Sequence, residues 1–130
     1  MSNFNDTIIT NLYNTSIMKK ILILTFAMIF IGCKSDVELS MERGIQFYEW
    51  KLFDKAILEF NQVVLMLPDD PRKLNYEETE MLSRAYYNLS IAHLKLGRSD
   101  FADNYILKAY QLSPTEENWK LLNDLKSNQK

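Results

Sequence analysis

The sequence predicts an all-α chain, built of antiparallel helix pairs behind a short apolar N-terminal segment. Three observations predict it. From about residue 37 to residue 125, apolar residues recur at i, i+3, i+4 and i+7, the spacing of one helix face. Glycine and proline occur only three times each, too few for a loop-rich or all-β fold. A set of residues recurs at a constant offset of 46: Gly44, Asp54, Ala56, Phe60 and Pro68 align with Ser90, Asp100, Ala102, Ile106 and Pro114. Such an offset marks an internal repeat of one helix pair. The single cysteine excludes an internal disulfide framework, so helix packing must hold the chain.

Residues 1–17 are polar, rich in Asn and Thr, and without an apolar stripe. They read as an upstream leader or a mis-assigned start, with Met18 as the natural first residue, and are set aside from the fold. Met18-Lys19-Lys20 is followed by an apolar run from Ile21 to Ile31 and then Gly32-Cys33. The run is well short of the roughly 20 residues of a bilayer-spanning helix. A positive start, a short apolar run and a small residue before a break have the layout of a secretory signal. Phe30-Ile31-Gly32-Cys33 resembles the lipobox of bacterial lipoproteins, with Phe30 where leucine is usual. That resemblance implies a signal peptide over 18–32, a diacylglyceryl group on the Cys33 thiol and a lipidated tether over 33–36. It also implies a place in the bacterial cell envelope, with acyl chains on Cys33 holding the chain to a membrane on its periplasmic or surface side. An uncleaved anchor or a buried cysteine is the plainer alternative.

The first helix is expected from about Val37 to Glu49, with Met41, Gly44, Ile45 and Tyr48 on one face. Trp50 to Phe53 make a turn. Asp54 is the expected N-cap of the second helix, with a hydrophobic staple between Phe53 and Leu58. That helix continues to Leu67, turns Ala56, Ile57, Phe60, Val63, Val64 and Leu67 inward, and stops at Pro68. The stretch 71–82 is also helical in pattern. Asn75 can cap it, and Glu77 and Glu78 suit the positive end of a helix dipole. Leu82, Ala85, Leu89, Ala92 and Leu96 continue the seam, so one helix of about 30 Å is expected over Tyr76–Leu96, with a kink near Glu80 as the alternative. Gly97 ends it, and Asp100 is expected to cap a helix to about Leu112. Ser113, Pro114 and Glu116 then read as N-cap, first position and capping-box acid of a last helix. This helix runs from about Thr115 to Lys126 and is expected to bury Trp119, Leu122 and Leu125.

Tyr86, Leu89, Ser90, His93, Ala102, Ile106, Ala109 and Pro114 together resemble a tetratricopeptide repeat (TPR). The departures are Ser90 at the usual glycine, His93 at the usual tyrosine and, in the first copy, Arg43 at the usual leucine. The resemblance implies a right-handed solenoid of about two repeats, 37–70 and 83–116, with a capping helix and tail over 117–130. The usual period is about 34 residues, so the offset leaves a helical insertion, 71–82, between the copies.

Net charge is −2 with no basic block, which excludes nucleic acid as the expected partner. There is one histidine, no Gly-rich phosphate loop, and neither an HExxH nor a CxxC motif, so no enzyme activity and no cofactor are expected. His93 falls on the packing side of its helix and reads as structural. Glu77, Glu78 and Glu80 lack the turn glycine and Asp or Asn ligands of a calcium loop, and read as a solvated helix start, with no metal site. Tyr48, Tyr86, Tyr87, Tyr105 and Tyr110 have packing spacing. Trp50, in a turn beside Glu49 and Asp54, leaves cell-wall glycan binding or hydrolysis as a minor alternative.

The candidate site is a groove. Arg84, Asn88, Ile91 and Lys95 form one stripe, flanked by Tyr87 and Leu94. The matching face of the first helix is Glu38, Met41, Ile45 and Tyr48. In TPR proteins the first helix of each pair lines a groove that holds a peptide, and Arg84 and Lys95 would there favour an acidic segment or a C-terminal carboxylate. A solvated face is the bland alternative. The function expected is a membrane-tethered, non-catalytic protein–protein interaction or assembly module that binds other envelope proteins or peptides. A self-associating structural subunit, such as a homodimer, is the alternative.

Overall fold

The computed structural model describes residues 17–20, 35–68 and 70–127. The expected lipid site Cys33, the apolar run 21–31 and the tail 128–130 lie outside the described residues. The chain divides into two compact units after residue 34. In the first, residues 17–20 are helical. The second is all-helical among its described residues: α1 (Asp36–Glu49), α2 (Phe53–Met66), a 3-10 turn (Pro71–Lys73), α3 (Tyr76–Lys95), α4 (Ser99–Leu112) and α5 (Glu116–Ser127). Each α-helix packs against the next along the chain.

The two turns inside the helix pairs, 46 residues apart, have the same geometry. Lys51 and Gly97 both have positive φ, 61° and 70°. The Lys51 N–H donates to the Tyr48 carbonyl at 2.9 Å and the Leu52 N–H to Phe47 at 2.9 Å. In the second turn the Gly97 N–H donates to Leu94 at 3.0 Å and the Arg98 N–H to His93 at 2.9 Å. This is the Schellman pattern twice, with the last carbonyls of α1 and α3 satisfied in the same way. The residue after each turn leads straight into the next helix: Leu52 at φ −88°, ψ 61° and Arg98 at φ −98°, ψ 68°.

That tight turn corrects two expected caps. α2 begins at Phe53 and α4 at Ser99, so Asp54 and Asp100 lie inside the first turn, and neither helix has a side-chain cap. Asp54 instead pairs with Arg98 at 3.2 Å, across the two turns. The expected Phe53–Leu58 staple does not form, because Leu58 points outward and is 65% exposed. α1 carries a capping box that pattern reading missed: the Ser35 hydroxyl accepts from the Glu38 N–H, and the Glu38 carboxylate from the Ser35 N–H. Asn75 caps α3 as expected, with Glu78 completing the box, and α3 runs unbroken through Glu80.

Small residues set how closely each pair packs. At Gly44 a Cβ would lie 2.6 Å from Cδ1 of the Phe60 ring, far inside van der Waals contact. Phe60 is 1% exposed and has no room to withdraw. In the second pair, Ser90 donates to the Ala102 carbonyl at 2.8 Å and Ser83 to Ala109 at 2.9 Å, so two serines of α3 are bonded to the backbone of α4. Two apolar clusters follow. One joins α1, α2 and α3 around Phe60, Val63 and Leu89, and the other joins α4 and α5 around Ile106 and Leu122.

Arg43 explains its own departure from the repeat pattern. Its counterpart Leu89 is fully buried in the cluster that joins the pairs, whereas Arg43 is exposed. Arg43 bonds Glu59 at 3.0 Å and the Ser40 hydroxyl at 3.0 Å. The last helix departs more from expectation. Its N-cap is Thr115, whose hydroxyl accepts from the Asn118 N–H at 3.2 Å, and Ser113 is buried instead. Trp119 is 55% exposed, while Asn118, Leu122 and Leu125 are buried. The inward face is thus one position earlier than the aromatic residue suggests.

The matched turns generate a paired expectation. A side chain at Gly97 would meet nothing within 4 Å, so the cost of one there is conformational only. Gly97→Ala should lower unfolding free energy by about 1 kcal/mol, and Lys51→Gly should raise it by about 0.5 kcal/mol, as read by urea denaturation. Effects of the same sign at both positions would contradict a shared turn geometry.

Candidate binding cleft

Three helices meet around a cleft of about 420 Å³. α1 contributes Ile45, α3 contributes Glu80, Ser83, Arg84, Tyr87 and Asn88, and α5 with its cap contributes Thr115, Glu117 and Asn118. Positions 80, 84, 87 and 88 share one face of α3 because they are three and four residues apart.

The floor is a buried polar node. Asn118, 5% exposed, donates its side-chain amide to the Ser113 carbonyl at 2.7 Å and to the Ser83 hydroxyl at 3.1 Å. A longer contact reaches the Ala109 carbonyl at 3.4 Å. The two carbonyls lie at the end of α4, where each also accepts a backbone N–H, Ala109 from Ser113 at 3.0 Å and Ser113 from Thr115 at 2.8 Å. Ser113 in turn donates its hydroxyl to the Glu80 carboxylate at 2.7 Å. The node therefore ties α5 to both helices of the second pair. Across the cleft, burial and a hydrogen bond to Glu117 push the Tyr87 phenol up to about 12. Tyr87 is neutral at physiological pH and its hydroxyl is held by the α5 carboxylate.

The expected groove residues divide into those that line the cleft and those that do not. Ile45, Arg84, Tyr87 and Asn88 come together in it. Met41 does not line it: it is 3% exposed, in the core, and its sulfur accepts from the Asn88 amide at 3.5 Å. Glu38 is engaged in the α1 capping box. Tyr48 is half-buried, packs edge-on to Phe53 with centroids 5.3 Å apart, and has its phenol pKa raised by burial. Ile91 is half-buried, and Leu94 packs with the α4–α5 cluster. Lys95 is exposed and about 16 Å along α3 from Arg84 at 1.5 Å per residue, away from the cleft lining. Sequence reading missed Glu80, Ser83, Thr115, Glu117 and Asn118. Three of these are on α5 or its cap, whose rotation the misplaced Trp119 had obscured.

His93 lies outside the cleft. It is 6% exposed and stacks with Phe101 and Tyr105 at centroid distances of 5.1 and 5.4 Å. Its Nδ1 has no hydrogen-bond partner. Burial, with Arg98 nearby, lowers its pKa and opposes the charged form, against a smaller contribution from Asp54. Glu78 is engaged at the α3 cap and Glu80 by Ser113. Among the described residues, no group of three His, Cys, Asp or Glu is placed to hold a metal ion, and no helix is long and apolar enough to cross a membrane. No family model matches the chain, and no curated protein matches it.

Asn118 gives the cleft its floor and fixes the α5 wall. Asn118→Leu should cost about 1 kcal/mol, because it removes the amide's hydrogen bonds to Ser113 and Ser83, whose own other bonds remain. Hydrogen exchange should accelerate in α5 while α1 and α2 stay protected. Uniform acceleration through all five helices would contradict this local role.

Proposed function

We propose that the chain is a membrane-tethered TPR-type lipoprotein, anchored through Cys33, that binds a segment of another envelope protein in the α1–α3–α5 cleft and performs no chemistry on it. The observation that carries this reading is the cleft itself, lined by alternate helices along the chain, the first helix of each pair and the helix that follows the second. Support also comes from two helix pairs at a constant offset with identical turns, and from the clefted surface these pairs form with α5. Stacked pairs make a rigid surface suited to holding a peptide along its length. The function is proposed from the site and not from the fold, since one fold serves many functions.

A second reading, self-association, is favoured by one feature. Trp119 is 55% exposed on α5. A second copy covering that surface would make a structural subunit of the chain.

Photo-crosslinking separates these readings. A photoreactive residue is placed at Arg84, in the cleft, or at Leu107, exposed on α4, in the full chain expressed in a bacterial host. The expected outcome is an adduct to a different protein from position 84 and none from position 107. Adducts only between copies of the chain would favour self-association, and equal capture from both positions would contradict the cleft. Intact mass of the same sample should show acylated Cys33 at a mature N-terminus. An unmodified Cys33 would remove the tether.

A further inference from the structure

We infer that the segment the cleft takes is basic, a lysine- or arginine-bearing stretch of the partner. The inference rests on the peptide-binding reading above and adds the chemistry of the peptide. Along the sequence, the α3 stripe looks cationic because only Arg84 and Lys95 are visible on it. Folding changes the balance. Lys95 is away from the cleft, while Glu80 and Glu117 join Arg84 in its lining.

The two carboxylates are held in position by protein hydroxyls. Glu80 accepts from Ser113 at 2.7 Å, and Glu117 accepts from Tyr87. One such bond leaves each carboxylate further acceptor capacity for a ligand's N–H groups. The Tyr87 ring also lines the cleft, and an aromatic ring there favours a cation. A guanidinium or ammonium group entering here meets an aromatic ring and charged acceptors, the pairing that makes charge-assisted hydrogen bonds strong.

The acidic lining continues beyond the cleft. Ile45 also borders a shallower depression on α1 that contains Glu42, Glu49 and Arg43. Arg43 there is already bonded to Glu59. The cleft lining itself has two carboxylates, Glu80 and Glu117, against one cation, Arg84. An acidic peptide would be opposed by these carboxylates. A basic peptide would be drawn in by them, and Arg84 would select against a cation at its own position.

Selection from a displayed library of short random peptides tests this on the full chain in detergent. The retained peptides are sequenced and their binding is re-measured on two variants, Glu80→Gln with Glu117→Gln, and Arg84→Gln. Glutamine keeps an acceptor oxygen for Ser113 and for Tyr87, and matched melting curves check that the fold is intact. The retained pool should be enriched in Lys and Arg, bind the double variant about tenfold more weakly, and weaken as salt rises. A pool enriched in Asp and Glu, and lost on Arg84→Gln, would overturn the basic partner while leaving the cleft as a peptide site. Retention indifferent to every substitution, or no retained peptide at all, would overturn both readings.

Discussion

The approach of α1 to α2 is governed by a side chain that is not there. Residue 44 has no Cβ, and the Phe60 ring occupies that space. Any atom added at residue 44 must push the ring or the helix, and a close-packed interior resists both. At the matching register of the second pair, the bulky ring is replaced by Ile106 and the glycine by Ser90, whose hydroxyl bonds the Ala102 carbonyl. Glycine against phenylalanine and serine against isoleucine are two solutions to one spacing constraint. The face of α1 so placed contributes Ile45 to the cleft that α3 and α5 also line.

The cleft's remaining wall is held by polar bonds as well as by apolar packing. Asn118 supplies a buried amide where the end of α4 presents acceptors, and Ser83 and Ser113 complete the set. Such a network is stabilising only when its members find partners, and it fixes the rotation of α5 more narrowly than Leu122 and Leu125 would by themselves. That rotation brings Glu117 to Tyr87 and gives the cleft its acidic side. The first pair is handled differently. Arg43 lies where the second pair has buried Leu89, bonded to Glu59 and Ser40, so that position of α1 is polar.

Much of this was legible in the sequence. Helix extents followed from apolar periodicity, Asn75 and Gly97 marked their termini correctly, and the offset of 46 anticipated a turn geometry that matches residue by residue. The errors have physical causes. Asp54 and Asp100 look like N-caps by residue type, but the Schellman turn hands the chain to the next helix two residues sooner. Lys51 carries a positive φ that no lysine advertises, and only its alignment with Gly97 could have signalled it. Trp119 was read inward because it is large and apolar. Asn118 is buried there instead, bonded to Ser83 and to the Ser113 carbonyl, and such bonds are invisible to a hydrophobic pattern. Met41 was read as groove lining from its stripe, although it shares the buried face with Gly44. Half of the cleft was therefore missed, and with it the sign of its charge.

A double-mutant cycle between residues 44 and 60 tests the spacing constraint directly. Gly44→Ser alone should destabilise the chain by about 1–3 kcal/mol through overpacking. Phe60→Ile alone should be destabilising through lost volume. Combined, they transplant the second pair's arrangement into the first, with a hydroxyl positioned to reach the Ala56 carbonyl. The double variant should be more stable than the sum of the single changes by about 1–2 kcal/mol, as measured by urea denaturation. Additivity within about 0.5 kcal/mol would show that the two pairs do not solve the same packing problem, and the repeat would then be one of sequence alone.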